Sequence, residues 1–156
     1  MPINKIKERI SAILNEKDDH LDALIITDNA NLTYVTGLQL QLLASIPYLS
    51  VILFWSKNGR TLICPSALAS TYTSQGWKEN LIIYAQCADP QGAAIAHLLQ
   101  AIQIEFKGSG NLGYIGESLN GKTLSQLTEA LPNSNFIDIS DSWIKLRETK
   151  TEEEID

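Results

Sequence analysis

The side chains best suited to metal binding or nucleophilic chemistry are few and dispersed in this chain. The histidines are His20 and His97, and neither has a second ligand at the short spacings at which metal sites collect imidazole, thiolate and carboxylate groups. A Gly-x-Ser-x-Gly turn, which could present a serine nucleophile, does not occur. We therefore expect no metal site and no catalytic residue among these 156 residues.

One glycine-rich segment has the letters of a dinucleotide-binding fingerprint. Residues 108–113 read Gly-Ser-Gly-Asn-Leu-Gly. That fingerprint works only when the glycines follow a strand and open a helix, so that the helix N-terminus meets the pyrophosphate. Here the segment follows a predicted helix and leads into a predicted strand, which indicates a connecting loop.

Charge and cysteine content limit the classes of partner and compartment. The formal charge is -6, and the basic cluster Lys5, Lys7 and Arg9 is interleaved with glutamates, so we expect no nucleic-acid partner. The N-terminal residues lack the apolar stretch of a signal peptide, and no run reaches the roughly 18 apolar residues that span a bilayer. We expect a cytoplasmic protein without membrane association, in which Cys64 and Cys87 are buried free thiols; a disulfide is the alternative.

Hydrophobic periodicity predicts alternating strands and helices. Apolar residues spaced by three and four predict helices, whereas short β-rich runs predict strands, with residues 22–27 and 81–84 apolar enough for buried ones. Asn58 and Gly59 supply a tight turn between two such runs. The predicted strands are 22–27, 50–55, 60–64, 81–84, 112–116 and 136–139, and the predicted helices are 3–17, 67–77, 91–106 and 122–131. This order indicates an α/β domain with a mixed, mostly parallel sheet, one antiparallel hairpin and helices on both faces.

Two further segments have turn and capping signals. In residues 31–37, Asn31 is suited to cap a short helix, Tyr34 to bury its ring while its hydroxyl finds a partner, and Gly37 to end the helix in the left-handed region. Residues 146–156 have the composition of the start of a charged helix and contain no terminating Gly, Asn or Pro. We therefore expect one domain over residues 1–145 and, from residue 146 to 156, the start of a linker helix.

Four segments in this order resemble the N-terminal domain of the creatinase/prolidase/Xaa-Pro aminopeptidase family. They are residues 22–26, 31–37, 113–117 and 146–155, of which the second resembles Asn-x-x-Tyr-Leu-Thr-Gly and the fourth Leu-Arg-x-x-Lys-(Ser or Thr)-x-x-Glu-Ile. The resemblance implies a three-layer α/β/α domain similar to ribonuclease H. It also implies structural roles for the matching residues, which are Asn31, Tyr34, Gly37, Gly116, Glu117, Arg147 and Lys150.

The resemblance further implies a parent enzyme that hydrolyses the peptide bond before proline in short peptides. Two divalent metal ions, manganese, cobalt or zinc, would be held by two Asp, one His and two Glu of an absent C-terminal pita-bread domain. In this family the N-terminal domain is not catalytic but builds the homodimer and walls the substrate channel. Gln39, Gln41 and Tyr48 are the candidate channel residues, and the leucines at 38, 40, 42 and 43 are candidates for core or subunit interface.

Two alternatives remain at this point. A domain of the same fold also opens the large subunit of the FACT histone chaperone, where it has no peptidase activity, and the acidic charge would suit a basic protein partner. The acidic residues here are scattered until the terminal run at 152–154. The other alternative is a degenerate homologue whose remaining half has lost its metal ligands.

Overall fold

The computed structural model describes residues 8–10, 12, 21–40, 50–85, 87–116 and 119–148. Residues 8–10 and 12 are helical, and the rest of the helix predicted over 3–17 lies outside this set. The strands are β1 (Ala23–Ile26), β2 (Ile52–Ser56), β3 (Gly59–Pro65), β4 (Asn80–Tyr84), β5 (Asn111–Tyr114) and β6 (Asn135–Asp138). The helices are α1 (Asn29–Thr36), α2 (Ser66–Ser74), α3 (Pro90–Phe106), α4 (Gly121–Ala130) and α5 (Ser140–Glu148).

The strands form one mixed sheet in the order β4-β3-β2-β1-β5-β6. Among the described strands, β2 alone runs against the others, and it pairs antiparallel with both β1 and β3. The remaining pairings, β1 with β5, β3 with β4 and β5 with β6, are parallel. The predicted hairpin is confirmed: Ser56 pairs with Gly59, and Gly59 supplies the positive φ of 128°. The mostly parallel mixed sheet is confirmed with it.

Helices cover both faces of the sheet, as predicted for a three-layer α/β/α domain. β1 lies inside the sheet and all four of its residues are buried. Because successive side chains point to opposite faces, Leu24 and Ile26 pack in one core cluster with α1, α2 and α5, whereas Ala23 and Ile25 pack in the other with α3 and α4. Leu38 and Leu40 belong to the first cluster. Leu42 and Leu43 lie outside the described residues.

The strand predicted as buried over 81–84 instead forms an edge of the sheet. β4 pairs with β3 on one side, and no described strand pairs with its other side. Ile83 is 49% exposed in consequence. The apolar run gave the strand correctly but not its position, because composition does not distinguish a central strand from an edge strand that is covered on one face.

The boundaries of α3 and the loop after it agree with the sequence. The Asp89 carboxylate accepts from the Gly92 backbone N–H at 3.0 Å, and α3 begins at Pro90. Lys107 ends the helix with φ 53° and Gly108 follows with φ 74°, so the predicted glycine-rich loop is confirmed. Within the described residues, no helix combines the length and the apolar character needed to cross a membrane.

The two cysteines differ from the prediction in one respect. Both are free, and Cys64 on β3 is buried as expected. Cys87 is exposed, so the prediction that it is buried was wrong. It follows the edge strand β4, where the chain leaves the sheet, rather than continuing the apolar run inside it.

Candidate functional site

Helix α1 carries the first family-like motif and is capped one turn earlier than the sequence suggested. The Asp28 carboxylate accepts from the Asn31 backbone N–H at 2.9 Å, which makes Asp28 the N-cap. The prediction that Asn31 caps the helix was therefore wrong, because the carboxylate three residues earlier satisfies that amide. Gly37 ends the helix with φ 70°, as predicted.

Asn31 instead joins α1 to α5. Its Nδ2 donates to Asp28 Oδ2 at 2.8 Å. Its Oδ1 accepts from Trp143 Nε1 at 2.8 Å and from Arg147 Nη1 at 3.1 Å. Asn31 and Trp143 are both buried, so these bonds satisfy groups that would otherwise be desolvated without partners.

Tyr34 adds aromatic contacts to the same junction. Its ring meets the Trp143 ring edge to face, with 6.3 Å between centroids and 82° between planes. The guanidinium carbon of Arg147 lies 5.3 Å from the Tyr34 centroid. Tyr34 is partly buried against the core. Asn31, Tyr34, Trp143 and Arg147 form one cluster, called the α5 clamp from here on.

An open cleft of about 760 Å³ borders the α5 clamp at the carboxyl ends of β5 and β6. Its apolar part comprises Ile115, Trp143 and Ile144. Its charged residues are Asp138, Asp141, Arg147 and Glu148, so three carboxylates and one guanidinium line it. No described histidine, lysine or cysteine joins this lining.

Gly116 and Ser140 shape the floor of this cleft. The Gly116 backbone N–H donates to Ser140 Oγ at 2.9 Å, and a Cβ at Gly116 would overlap the Asp138 carboxylate. Hydrogen bonds from the Ser140 hydroxyl, and then from its backbone N–H, lower the pKa of Asp138, with a smaller contribution from the Gly116 amide. A side chain at Gly116 would therefore require the Asp138 carboxylate to move.

A second, smaller pocket of about 160 Å³ lies at the carboxyl end of β1, next to the first turns of α3 and α4. Its polar side chains are uncharged and include Thr27, Asn29, Gln91 and Thr123. Gln91 Nε2 donates to Thr123 Oγ1 at 3.1 Å, and the amides at both helix starts are already capped by Asp89 and Asn120. These caps leave the pocket without an obvious anion-binding group.

A buried arginine fastens the other end of α1. Arg60 Nε lies 3.0 Å from both carboxylate oxygens of Glu79, and Nη1 donates to the Val35 carbonyl at 2.8 Å. The guanidinium carbon lies 5.2 Å from the Trp55 centroid and 4.8 Å from the Trp77 centroid. The guanidinium is thus paired with a carboxylate and flanked by two indole rings, which makes it a structural ion pair.

The candidate channel residues are placed only in part. Gln39 is exposed, and its backbone N–H donates to Gln75 Oε1 at 2.8 Å. It does not line either pocket. Gln41, Tyr48, Glu117 and Lys150 lie outside the described residues.

The sequence interpretation missed Trp143, Ser140 and the Arg60–Glu79 pair. One signal was available for Trp143, since it lies four residues before Arg147 and therefore on the same face of a helix. That signal was overlooked because the helix was expected to begin at residue 146, whereas α5 begins at Ser140. In the described part of the chain, no group of three or more His, Cys, Asp and Glu side chains is arranged to hold a metal ion.

Comparisons with known proteins agree with the fold. No curated protein matches the chain in sequence. An Xaa-Pro dipeptidase from Bacillus anthracis has a similar structure, with a TM-score of 0.72 and 18% identity; the match covers 98% of this chain and 38% of that one. For an X-Pro aminopeptidase from Thermotoga maritima the TM-score is 0.67 and the identity 21%, over 86% of this chain and 35% of that one.

A domain-sized structure matches over nearly its whole length. The N-terminal domain of cytoplasmic peptidase PepQ from Mycobacterium tuberculosis has a TM-score of 0.65 and 20% identity, over 93% of this chain and 97% of that one. The chain thus spans little more than a third of the two longer peptidases. The sequence model of the Creatinase/Prolidase N-terminal domain matches residues 7–149, and the chain therefore belongs to that family.

Proposed function

We propose that this chain is the non-catalytic N-terminal domain of a metal-dependent Xaa-Pro dipeptidase or aminopeptidase. The family match over residues 7–149 carries the proposal. It is supported by the similarity to an Xaa-Pro dipeptidase and an X-Pro aminopeptidase, each more than twice as long as the part that this chain matches. The parent enzyme would hydrolyse the peptide bond before proline in short peptides.

The metal chemistry of the parent would reside outside this chain. Two divalent ions, manganese, cobalt or zinc, are proposed for the parent, and such ions need several converging carboxylate and imidazole ligands. The described residues do not fit that requirement, since they contain no such group of ligands. The described residues would therefore shape and support the enzyme without touching the reacting atoms.

The proposed partners are the C-terminal catalytic domain of the same polypeptide and a second subunit in a homodimer. The cleft beside α5, which combines apolar and acidic lining residues, is a surface suited to the first of these contacts. Gln39, which is exposed, stays a candidate for the substrate channel together with Gln41 and Tyr48. A cytoplasmic location is proposed on the sequence features given above.

The test is a peptidase assay on the purified 156-residue chain and on its full-length parent. With Mn²⁺ added, the chain should release no proline from an Xaa-Pro dipeptide, whereas the parent should. Chelation should silence the parent and leave the folding of this chain unchanged, which far-UV circular dichroism can monitor. Metal-dependent turnover by the 156-residue chain, or an inactive parent, would contradict the proposal.

A further inference from the structure

Two segments that resemble family motifs meet in space although they are separated by more than a hundred residues. Asn31 on α1 contacts Trp143 and Arg147 on α5, at separations of 112 and 116 residues. We propose that the Asn31 amide oxygen is a positioning group that fixes the direction in which α5 leaves the domain. Tyr34 supports it by contacting the same two side chains.

The orientation of the Asn31 amide is determined by its neighbours. The acceptor Asp28 Oδ2 lies on one side at 2.8 Å, and the donors Trp143 Nε1 and Arg147 Nη1 lie on the other. A flipped amide would set its NH₂ group against two donors and its oxygen against a carboxylate. One oxygen therefore receives both bonds from α5, and the cap of α1 fixes where that oxygen points.

Helix α5 depends on tertiary contacts such as these to stay folded. It has nine residues, and helices this short are marginal in water without tertiary packing. Trp143 and Leu146 are its buried side chains, whereas Ile144 is 52% exposed. Trp143 anchors the middle of the helix and Arg147 its last described turn. The two donors to Asn31 therefore lie one turn apart on α5, and their bonds resist rotation of the helix as well as separation.

The consequence for an enzyme rests on the proposed function. If a catalytic domain follows α5, its orientation relative to the sheet is set in part by the α5 clamp. The clamp itself is a property of this chain and can be tested without that domain.

The experiment is hydrogen exchange measured by NMR on the 156-residue chain, with amides of α3 as the internal reference for global opening. Asn31→Leu removes the acceptor and the donor. Amides at 143–148 should then exchange roughly tenfold faster relative to α3, the ratio expected from losing bonds to a buried indole and a guanidinium. Asn135→Leu is the matched control: it removes an amide that bonds to the Asn111 side chain at an exposed edge, and it should leave α5 unchanged.

Two more variants separate the clamp from simple loss of stability. Asn31→Asp keeps the oxygen that faces α5 but replaces the donor to Asp28 with a second carboxylate oxygen, so exchange should rise in the first turn of α1 while α5 stays protected. Arg147→Met changes an exposed residue and leaves the fold intact, yet it should loosen residues 145–148.

The proposal is overturned if Asn31→Leu raises exchange equally in α5 and α3, or if Asn31→Asp releases α5 as fully as Asn31→Leu does. It is also overturned if Arg147→Met leaves residues 145–148 as protected as in the unmodified chain. Any of these results would leave the proposed peptidase function untouched, because that function is decided by turnover of the parent.

Discussion

Replacing Glu79 with glutamine should destabilise the domain more than any ordinary surface substitution. Glu79 is the carboxylate partner of Arg60, whose side chain is only 5% exposed, whereas that of Glu79 is 29% exposed. The substitution keeps the size of the side chain and one acceptor oxygen but removes the charge. The guanidinium then retains the Val35 carbonyl and two indole faces as its partners.

The magnitude follows from the burial of the two partners. Removing one member of a fully buried ion pair costs about 3–5 kcal/mol, and an exposed pair contributes about 1 kcal/mol or less. Because solvent reaches Glu79 and glutamine still accepts one hydrogen bond, we expect a loss of about 2 kcal/mol in the free energy of unfolding. In a chain of this size that loss lowers Tm by about 4–8 °C.

The assay is urea unfolding followed by far-UV circular dichroism. Tryptophan fluorescence is less suitable, because Trp55 and Trp77 contact Arg60 and their native emission would change with it. Glu129→Gln, at an exposed position on α4, is the matched control and should stay within about 0.5 kcal/mol of the unmodified protein. Equal midpoints for the two variants would refute the view that Arg60 needs this carboxylate.

A double-mutant cycle would isolate the pair itself. Arg60→Met alone should cost about 3 kcal/mol, since it removes the bond to the α1 carbonyl and both indole contacts as well. Once methionine is present, adding Glu79→Gln should cost little. Additive losses would show that the two residues stabilise the fold independently.

Three further outcomes are expected. At pH 8, iodoacetamide should modify Cys87 and spare Cys64, because burial removes access and raises the pKa of the Cys64 thiol to about 11; mass spectrometry should find both modified in urea. Ser140→Ala should raise the pKa of Asp138 toward its ordinary value, which a carboxyl NMR titration can measure. Because the lowered pKa stabilises the unmodified fold above about pH 4, the free energy of unfolding of the variant should fall less as the pH drops through the folded pKa. Gly113→Ala should cost about 1–3 kcal/mol in a thermal melt, because its Cβ would lie 2.8 Å from Leu24 Cδ2 inside the sheet core.

Local patterns were sufficient for most of the fold. The apolar run ending in Ile26, the turn at Gly59 and the cap at Asp89 each act over a few residues, and each gave its element within a few positions. Strand order is different, because it depends on which strands pair across the chain. For that reason the run containing Ile83 was correctly taken as a strand but wrongly as a buried one.

The candidate site was less predictable because its contacts are distant in sequence. In the sequence Arg60 is one polar residue in a β-rich run, and no local pattern predicts its pairing with Glu79. Asn31 could either cap the helix or lie within it. It lies within the helix because Asp28, three residues earlier, is the N-cap and accepts from the Asn31 backbone N–H. The resemblance to family motifs marked Asn31 and Arg147 as structural without showing that they touch.

The α5 clamp and the Arg60–Glu79 pair explain how a helix as short as α1 can carry a recognisable motif. Helix α1 has eight residues, too few for helix propensity to keep it folded alone. Its stability must therefore come from tertiary contacts. Besides the core packing of Leu32 and Val35, polar contacts hold it at both ends: the Asn31 side chain bonds to α5, and the Val35 carbonyl accepts from Arg60. Gly37 then ends a helix that is held in place, so the segment that contains Gln39 starts from a defined position.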